Sequence, residues 1–389
     1  MLVESQVPLA PLSTLGVGGP AQYLVTATTE AEVVDALRWA HERELPVHVL
    51  GGGSNLVISD SGVRGLVLRI ALRGLTRVRA GAGLCSFSVA AGEPWDDLVA
   101  QTVEANCQGL ECLSGIPGLA GATPIQNVGA YGQEVSETIE RVRVLDRHGL
   151  TVSELPAADC GFGYRDSLFK SRWPERYVVL GVTFRLREGA PAQLAYGELA
   201  RHFDVPPRTA GPDTAPTDTA PATAAPDTAP SAGPSLRQVR AAVLELRKRK
   251  SMVLDASDPN RRSCGSFFVN ALVHAEDVAR VAAVAGAPPP AFPQPDGRLK
   301  VPSAWLIERA GLPRGTRLGP VGLSSRHTLA LVAHDGATAR DVLRFAHHVR
   351  QRVWERFGIR LVPEPDFWGF EETEARLPVL AAQAPLATP

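Results

Sequence analysis

Three short stretches of the chain set reactive side chains in unusual company. In "SCGSFFVN", residues 263–270, Ser266 stands between a glycine and two phenylalanines. A hydroxyl among apolar neighbours has to be satisfied or used. It is either a packing serine bonded to a nearby carbonyl or a working group. In "GYRDSLFK", Arg165 follows Tyr164 and precedes Asp166. An isolated arginine usually ends in a weak surface ion pair, but a guanidinium is also the side chain that grips a carboxylate through two bonds. In "LVPEPDFW", Glu364 sits between two prolines after an apolar run, so its backbone is rigid. Taken singly, it reads as a solvated carboxylate at a strand end. A fourth stretch, "LRKRKSMVLD", carries Arg247, Lys248, Arg249 and Lys250 at the end of a helix. Cations favour that end of the helix dipole.

The elements around these residues read as mixed α and β. In residues 29–50, Thr29 and Glu32 form a capping box, and Val33, Leu37 and Ala40 repeat at helical spacing. Pro46 ends the helix, and "VHVL" is a short strand running straight into "GGGSN". Consecutive glycines after a strand leave backbone N–H groups unobstructed. Such a nest can hold a pyrophosphate, or it is an ordinary tight turn. Short β runs are expected over 66–92, a helix over 94–107, and strands over 139–146 and 177–187. Residues 113–132 are a long glycine-rich loop, too apolar for a solvated linker and suited to close packing on a ligand. Further helices are expected from Leu236, near 275–285 and 302–310, and over 338–357, with "IRLVPEPDFW" as a closing strand. Residues 206–235 are almost wholly Pro, Ala, Thr, Asp, Gly and Ser, with D-T-A-P starting at Asp213, Asp218 and Asp227. Such a segment cannot bury a core and is expected to be disordered.

Composition narrows the function classes. The 389 residues are 44% hydrophobic, enough for two or three domains. A formal net charge of -1 gives no basic footprint for nucleic acid. No apolar run reaches the roughly 18 residues of a membrane span, and the N-terminus lacks the pattern of a signal peptide. The cysteines, Cys85, Cys107, Cys112, Cys160 and Cys264, are odd in number and contain no C-x-x-C pair. They read as reduced thiols in the cytoplasm, not as a disulfide framework or zinc site. His347 and His348 are adjacent on a helix, a poor arrangement for one metal, and no metal site is expected. Dinucleotide fingerprints fail as well. "GVGGPA" at Gly16 follows "PLST" in place of a strand, and "GAGLCS" at Gly81 lacks the third small residue.

Five motifs occur in order: "VLGGGSNLVIS" at 49–59, "IPGLAGATPIQNVGAYG" at 116–132, "CGFGYRDSLFK" at 160–170, "GSFFVN" at 265–270 and "PEPDF" at 363–367. Together they closely resemble the UDP-N-acetylenolpyruvoylglucosamine reductase family, flavoenzymes that complete UDP-N-acetylmuramate in peptidoglycan synthesis. The resemblance covers roughly residues 10–368 apart from the insert. It implies an α+β fold. A two-lobed FAD-binding domain of the vanillyl-alcohol-oxidase type would span 1–205, with a strand at about 359–370 returning to it. The insert 206–235, a substrate-binding domain over 236–358 and a flexible tail over 372–389 complete the expected layout.

The resemblance also assigns roles. Gly51, Gly52, Gly53, Ser54 and Asn55 would cradle the FAD pyrophosphate, while Pro117, Gly118, Thr123, Gln126, Asn127, Gly129, Ala130, Tyr131 and Gly132 would line the rest of the flavin. NADPH would reduce the flavin, and hydride from its N5 would pass to the methylene carbon of UDP-N-acetyl-3-O-(1-carboxyvinyl)-glucosamine. Ser266 would then protonate the neighbouring carbon. Arg165 would meet the enolpyruvyl carboxylate and, with Glu364, stabilise the enolate-like state. Phe267 and Phe268 would keep water away, and Tyr196, Lys250 and Asn270 would bind substrate. Cys264 departs from the small residue, such as alanine, expected beside Gly265 and raises the prospect of thiol sensitivity. A monomer is expected. Two other readings stay open at this point: a sugar or alcohol oxidase of the same fold, and a non-catalytic nucleotide-sugar binder.

Overall fold

The computed structural model describes residues 1–192, 194, 197–204 and 233–370. Tyr196, residues 206–232 of the expected insert and the expected tail over 372–389 lie outside the described residues.

The first body is built on two sheets. The smaller one runs in the order Glu4–Pro8, Pro20–Ala27, Val63–Ile70, Val47–Leu50. Pro20–Ala27 and Val47–Leu50 both lie parallel to Val63–Ile70. The helix Glu30–His41 supplies a parallel crossover. It starts because the Thr29 hydroxyl accepts the Glu32 N–H while Glu32 reaches back, and Val33, Ala36, Leu37 and Ala40 are its buried face. It stops at His41, several residues before Pro46. The larger sheet is antiparallel, ordered Thr151–Pro156, Ile139–Asp146, Tyr177–Glu188, Leu84–Ala90, Leu75–Gly81, with Cys107–Gln108 on the end of Tyr177–Glu188. Side chains of both sheets and of the helix Trp95–Glu104 meet in one core, including Leu66, Leu68, Phe87, Trp95 and Phe184.

A second core gathers the helices Ala275–Ala285, Ser303–Arg309 and Ala339–Phe357 with two three-stranded sheets. The long helix Ala339–Phe357 fills the expected span 338–357, and Thr338 caps it in a capping box with Asp341. Phe267 and Phe268 are buried in this core, ring centroids 5.2 Å apart. Both rings are spent on this core and do not stand in the cleft. The helix Leu236–Arg249, expected from Leu236 onward, buries Leu236, Val239, Val243 and Leu246. It lies against the first body, sharing a cluster with Cys112 and Leu199 and pairing Arg240 with Asp96 at 2.6 Å.

The end of the described chain returns to the first body. Asp366–Trp368 pairs in parallel with Leu56–Ile58, the strand that follows the turn Gly51–Asn55. The expected longer strand is cut to three residues. Pro363 and Pro365 offer no N–H to a ladder, and only an isolated bridge joins Phe268 to Pro363.

Candidate active site

These elements wall a cavity of ≈ 330 Å³. One side is the turn 51–55 at the end of Val47–Leu50. The opposite side is the loop 116–130, and Ser263, Cys264, Gly265 and Ser266 close it with Glu364 and Asp366. The two glycine loops touch. A Cβ on Gly52 would stand 2.8 Å from Gly118 Cα, so no larger residue fits. Ser54 Oγ donates to Pro117 O at 3.2 Å, which ties the loops together. The N–H groups of Gly52, Gly53, Ser54 and Asn55 donate no backbone hydrogen bond among the described residues. Amides free in one tight turn form a cradle for an anion such as a pyrophosphate.

Arg165 enters from a hairpin in which Gly163 and Asp166 exchange backbone bonds of 3.0 and 3.2 Å. Its φ of 55° is left-handed, an uncommon posture for a side chain of this size. The guanidinium works in two directions: Nη2 donates to Gly129 O at 2.7 Å, and Nε faces Glu364 Oε1 at 3.3 Å. Burial pushes the Glu364 carboxyl above its ordinary value, and Arg165 and Lys170 pull against that rise. Glu364 is also tied to the serine segment, because its N–H donates to Phe267 O at 2.9 Å. Asn55 Nδ2 donates both to Gln126 Oε1 at 3.2 Å and to Glu364 O at 3.3 Å, linking the glycine turn to this carboxylate strand.

Of the residues expected to meet cofactor or reacting atoms, the structure brings Gly51, Gly52, Gly53, Ser54, Asn55, Pro117, Gly118, Thr123, Gln126, Gly129, Ala130, Arg165, Ser266 and Glu364 to this cavity. Others stand outside its wall. Asn127 is buried, donating to Glu134 Oε2 at 2.7 Å and to Gly163 O at 3.0 Å, so it braces the arginine hairpin. Tyr131 and Gly132 lie beyond the wall, with Lys250 Nζ 5.7 Å from the Tyr131 ring. Lys250 also pairs with Glu198 at 2.5 Å. Asn270 accepts the Ser303 N–H at 3.2 Å and neighbours Tyr164, whose hydroxyl burial pushes upward.

The sequence assigns no site role to Thr14, Lys170, Arg247 or Asp366, all on the cavity wall, and Arg247 reads there as a helix-end cation. Two had a signal. Lys170 closes the "GYRDSLFK" motif, and Asp366 lies two residues after Glu364, so an extended backbone turns both carboxylates to one side. Burial raises Asp366 too, opposed by Lys170. Next to Lys250, burial and that lysine's charge push His327 down to about 4, so it is neutral at physiological pH. The Cys264 thiol is buried beside Glu364 and pushed up to about 12, first by burial and then by that carboxylate. A thiol so poised is a poor nucleophile. Among the described residues, no group of three or more His, Cys, Asp and Glu side chains could hold a metal ion, and no helix is long and apolar enough to cross a membrane.

The two-sheet body matches the family model of the FAD binding domain over residues 21–153. With an anion cradle at one wall and an arginine–carboxylate pair and a serine at another, fold and site define a flavin-dependent oxidoreductase. Residues 258–368 match the model described as the C-terminal domain of UDP-N-acetylenolpyruvoylglucosamine reductase. Similar chains bear that reductase's name. One from Streptomyces coelicolor is 48% identical over 366 residues, covering 92% of this chain and 88% of its own. One from Thermobifida fusca is 45% identical, covering 92% and 96%. The crystal structure of the reductase from Thermus caldophilus aligns with a TM-score of 0.60 at 26% identity, over 95% of this chain and all of that one. The chain belongs to the UDP-N-acetylenolpyruvoylglucosamine reductase family. It is an α+β flavin oxidoreductase of peptidoglycan precursor synthesis, with FAD as cofactor and NADPH as the family's reductant.

Proposed function

We propose that the chain reduces the enol ether of UDP-N-acetyl-3-O-(1-carboxyvinyl)-glucosamine to UDP-N-acetylmuramate, with Ser266 delivering the proton. The observation that supports this most is convergence. Ser266, Arg165 and Glu364 come from segments about a hundred residues or more apart and face one cavity that also holds the glycine cradle. Bound FAD supplies the chemistry of taking hydride from NADPH and giving it to the enol ether. The protein's residues do the rest. Free amides at 52–55 bind the pyrophosphate. Arg165 has fixed N–H directions for the substrate carboxylate, and its charge stabilises the enolate-like state. The Ser266 hydroxyl is a weak acid, so it depends on position and on the charges beside it.

Lys250 binds the UDP diphosphate, and Asn270 and Tyr196 bind the remainder of the substrate. The two ligands alternate in one cleft, which makes the kinetics ping-pong. The enzyme acts as a cytoplasmic monomer. Ser266→Ala tests the reading: NADPH should still bleach the flavin, while reoxidation by substrate falls about 10²- to 10⁴-fold, the usual worth of a general acid. Equal loss of both steps would remove Ser266 from this role.

A further inference from the structure

The segment around Gly16, which resembles a dinucleotide fingerprint without following a strand, does something else. It leaves the first body and enters the second. Leu15 and Val17 are buried in the second core with Phe267 and Phe268. Arg262 Nη2 donates to Gly16 O at 2.9 Å, and a Cβ on Gly16, whose φ is +69°, would stand 2.8 Å from Arg262 Nε. Ahead of these anchors lies Thr14, on the cavity wall. Its N–H donates to Gly53 O at 3.0 Å, and its Oγ1 donates to Ser263 O at 2.7 Å.

One residue therefore joins the flavin-side glycine turn to the segment that carries Ser266. Ser263 lies three residues before Ser266, and Gly265, with φ of +74°, is a pivot between them. On the far side, Phe267 is held by the Glu364 N–H and by its own bond to Leu329 O at 2.8 Å. The second body thus holds the serine segment on both sides, through Phe267 after it and through buried Cys264 and the Ala333 N–H to Arg262 O bond of 2.9 Å before it, while Thr14 ties that segment to the glycine turn. A serine acting as a weak acid depends on its placement relative to the flavin, and a shift of about 1 Å can cost about 10²-fold.

We propose that Thr14 is a positioning residue for the substrate half-reaction, holding the Ser266 segment in register with the glycine turn. This rests on the proton-donor role of Ser266. The test is Thr14→Val, which keeps the backbone bond to Gly53 and deletes the hydroxyl. The purified protein should retain flavin, melt within a few degrees of the parent, and be bleached by NADPH within about twofold of the parent rate. Reoxidation by substrate should slow about tenfold, the equivalent of one lost hydrogen bond. Amide hydrogen exchange at 263–266 should rise, and Thr14→Ser should restore both the rate and the protection.

Loss of flavin, equal slowing of both half-reactions, no slowing, or failure of the serine variant to rescue would each overturn the proposal. Ser266→Ala measured alongside separates the two layers. If that variant spares reoxidation, the underlying reading fails. If it is selective and Thr14→Val is not, the inference about Thr14 alone fails.

Discussion

Replacing Arg165 by lysine keeps a positive charge and removes a geometry. The arginine uses Nη2 for Gly129 O at 2.7 Å and Nε for Glu364 Oε1 at 3.3 Å. An ammonium is a single centre and cannot serve both directions at those distances. If Gly129 O is abandoned, one unsatisfied carbonyl costs about 1–3 kcal/mol. If Glu364 is abandoned, the loss approaches the ~3–5 kcal/mol of a broken buried pair. The side chains are only 23% and 11% exposed, so water recovers little of this. Taking about 1.4 kcal/mol per factor of ten, a lysine that keeps Glu364 and abandons Gly129 O should slow reoxidation of reduced flavin by substrate about 10- to 100-fold in Arg165→Lys. Arg165→Met should fall further, to about 10²- to 10³-fold, as expected for removing a preorganised charge. It should also move the Glu364 titration upward, because the opposing cation is gone. Anaerobic stopped-flow absorbance across pH reads each half-reaction separately. A lysine variant within about twofold of the parent in the substrate step would refute the two-direction requirement.

Three further outcomes follow from the same geometry. Gly53→Ala should lower flavin affinity and melting temperature, since φ of +61° costs a side chain about 1–2 kcal/mol and its Cβ would lie 2.0 Å from Leu12 O; thermal melts and flavin titration measure both. Glu364→Gln should change the pH dependence of stability in the flavin-free protein. Because burial raises this carboxyl above its ordinary 4.5, both states are protonated below that value. The unfolded chain then ionises first as pH rises, and stability falls until the raised folded value is passed. The glutamine variant should lack that decline, and melting curves from pH 4 upward would show whether it does. Deleting residues 210–232, which include no Val, Leu, Ile or aromatic side chain, should leave flavin content unchanged; apo-protein after deletion would contradict this.

Much of this site was legible because its chemistry lies in contiguous motifs. The triple glycine after an apolar strand, the arginine of "GYRDSLFK" and the glutamate between prolines could each be singled out, and the capping boxes at Thr29 and Thr338 fixed two helix starts. What escaped depends on contacts between distant positions. Thr14 has no local signature, and its meaning comes from Ser263, 249 residues away. Asn127 reads as a cofactor-lining amide, yet its side chain is spent on Glu134 and Gly163. Phe267 and Phe268 have the right polarity to exclude water, but tertiary packing buries both in the second core. The helix Leu236–Arg249 shows its apolar face in sequence, but nothing in that face says which body it covers.

The most direct measurement is an anaerobic absorbance titration of the purified protein. The flavin spectrum is recorded, bleached with NADPH, and then followed as UDP-N-acetyl-3-O-(1-carboxyvinyl)-glucosamine is added. The account predicts return of the oxidised spectrum without oxygen, in proportion to substrate. A bleached flavin that ignores this substrate and recovers only in air would contradict it.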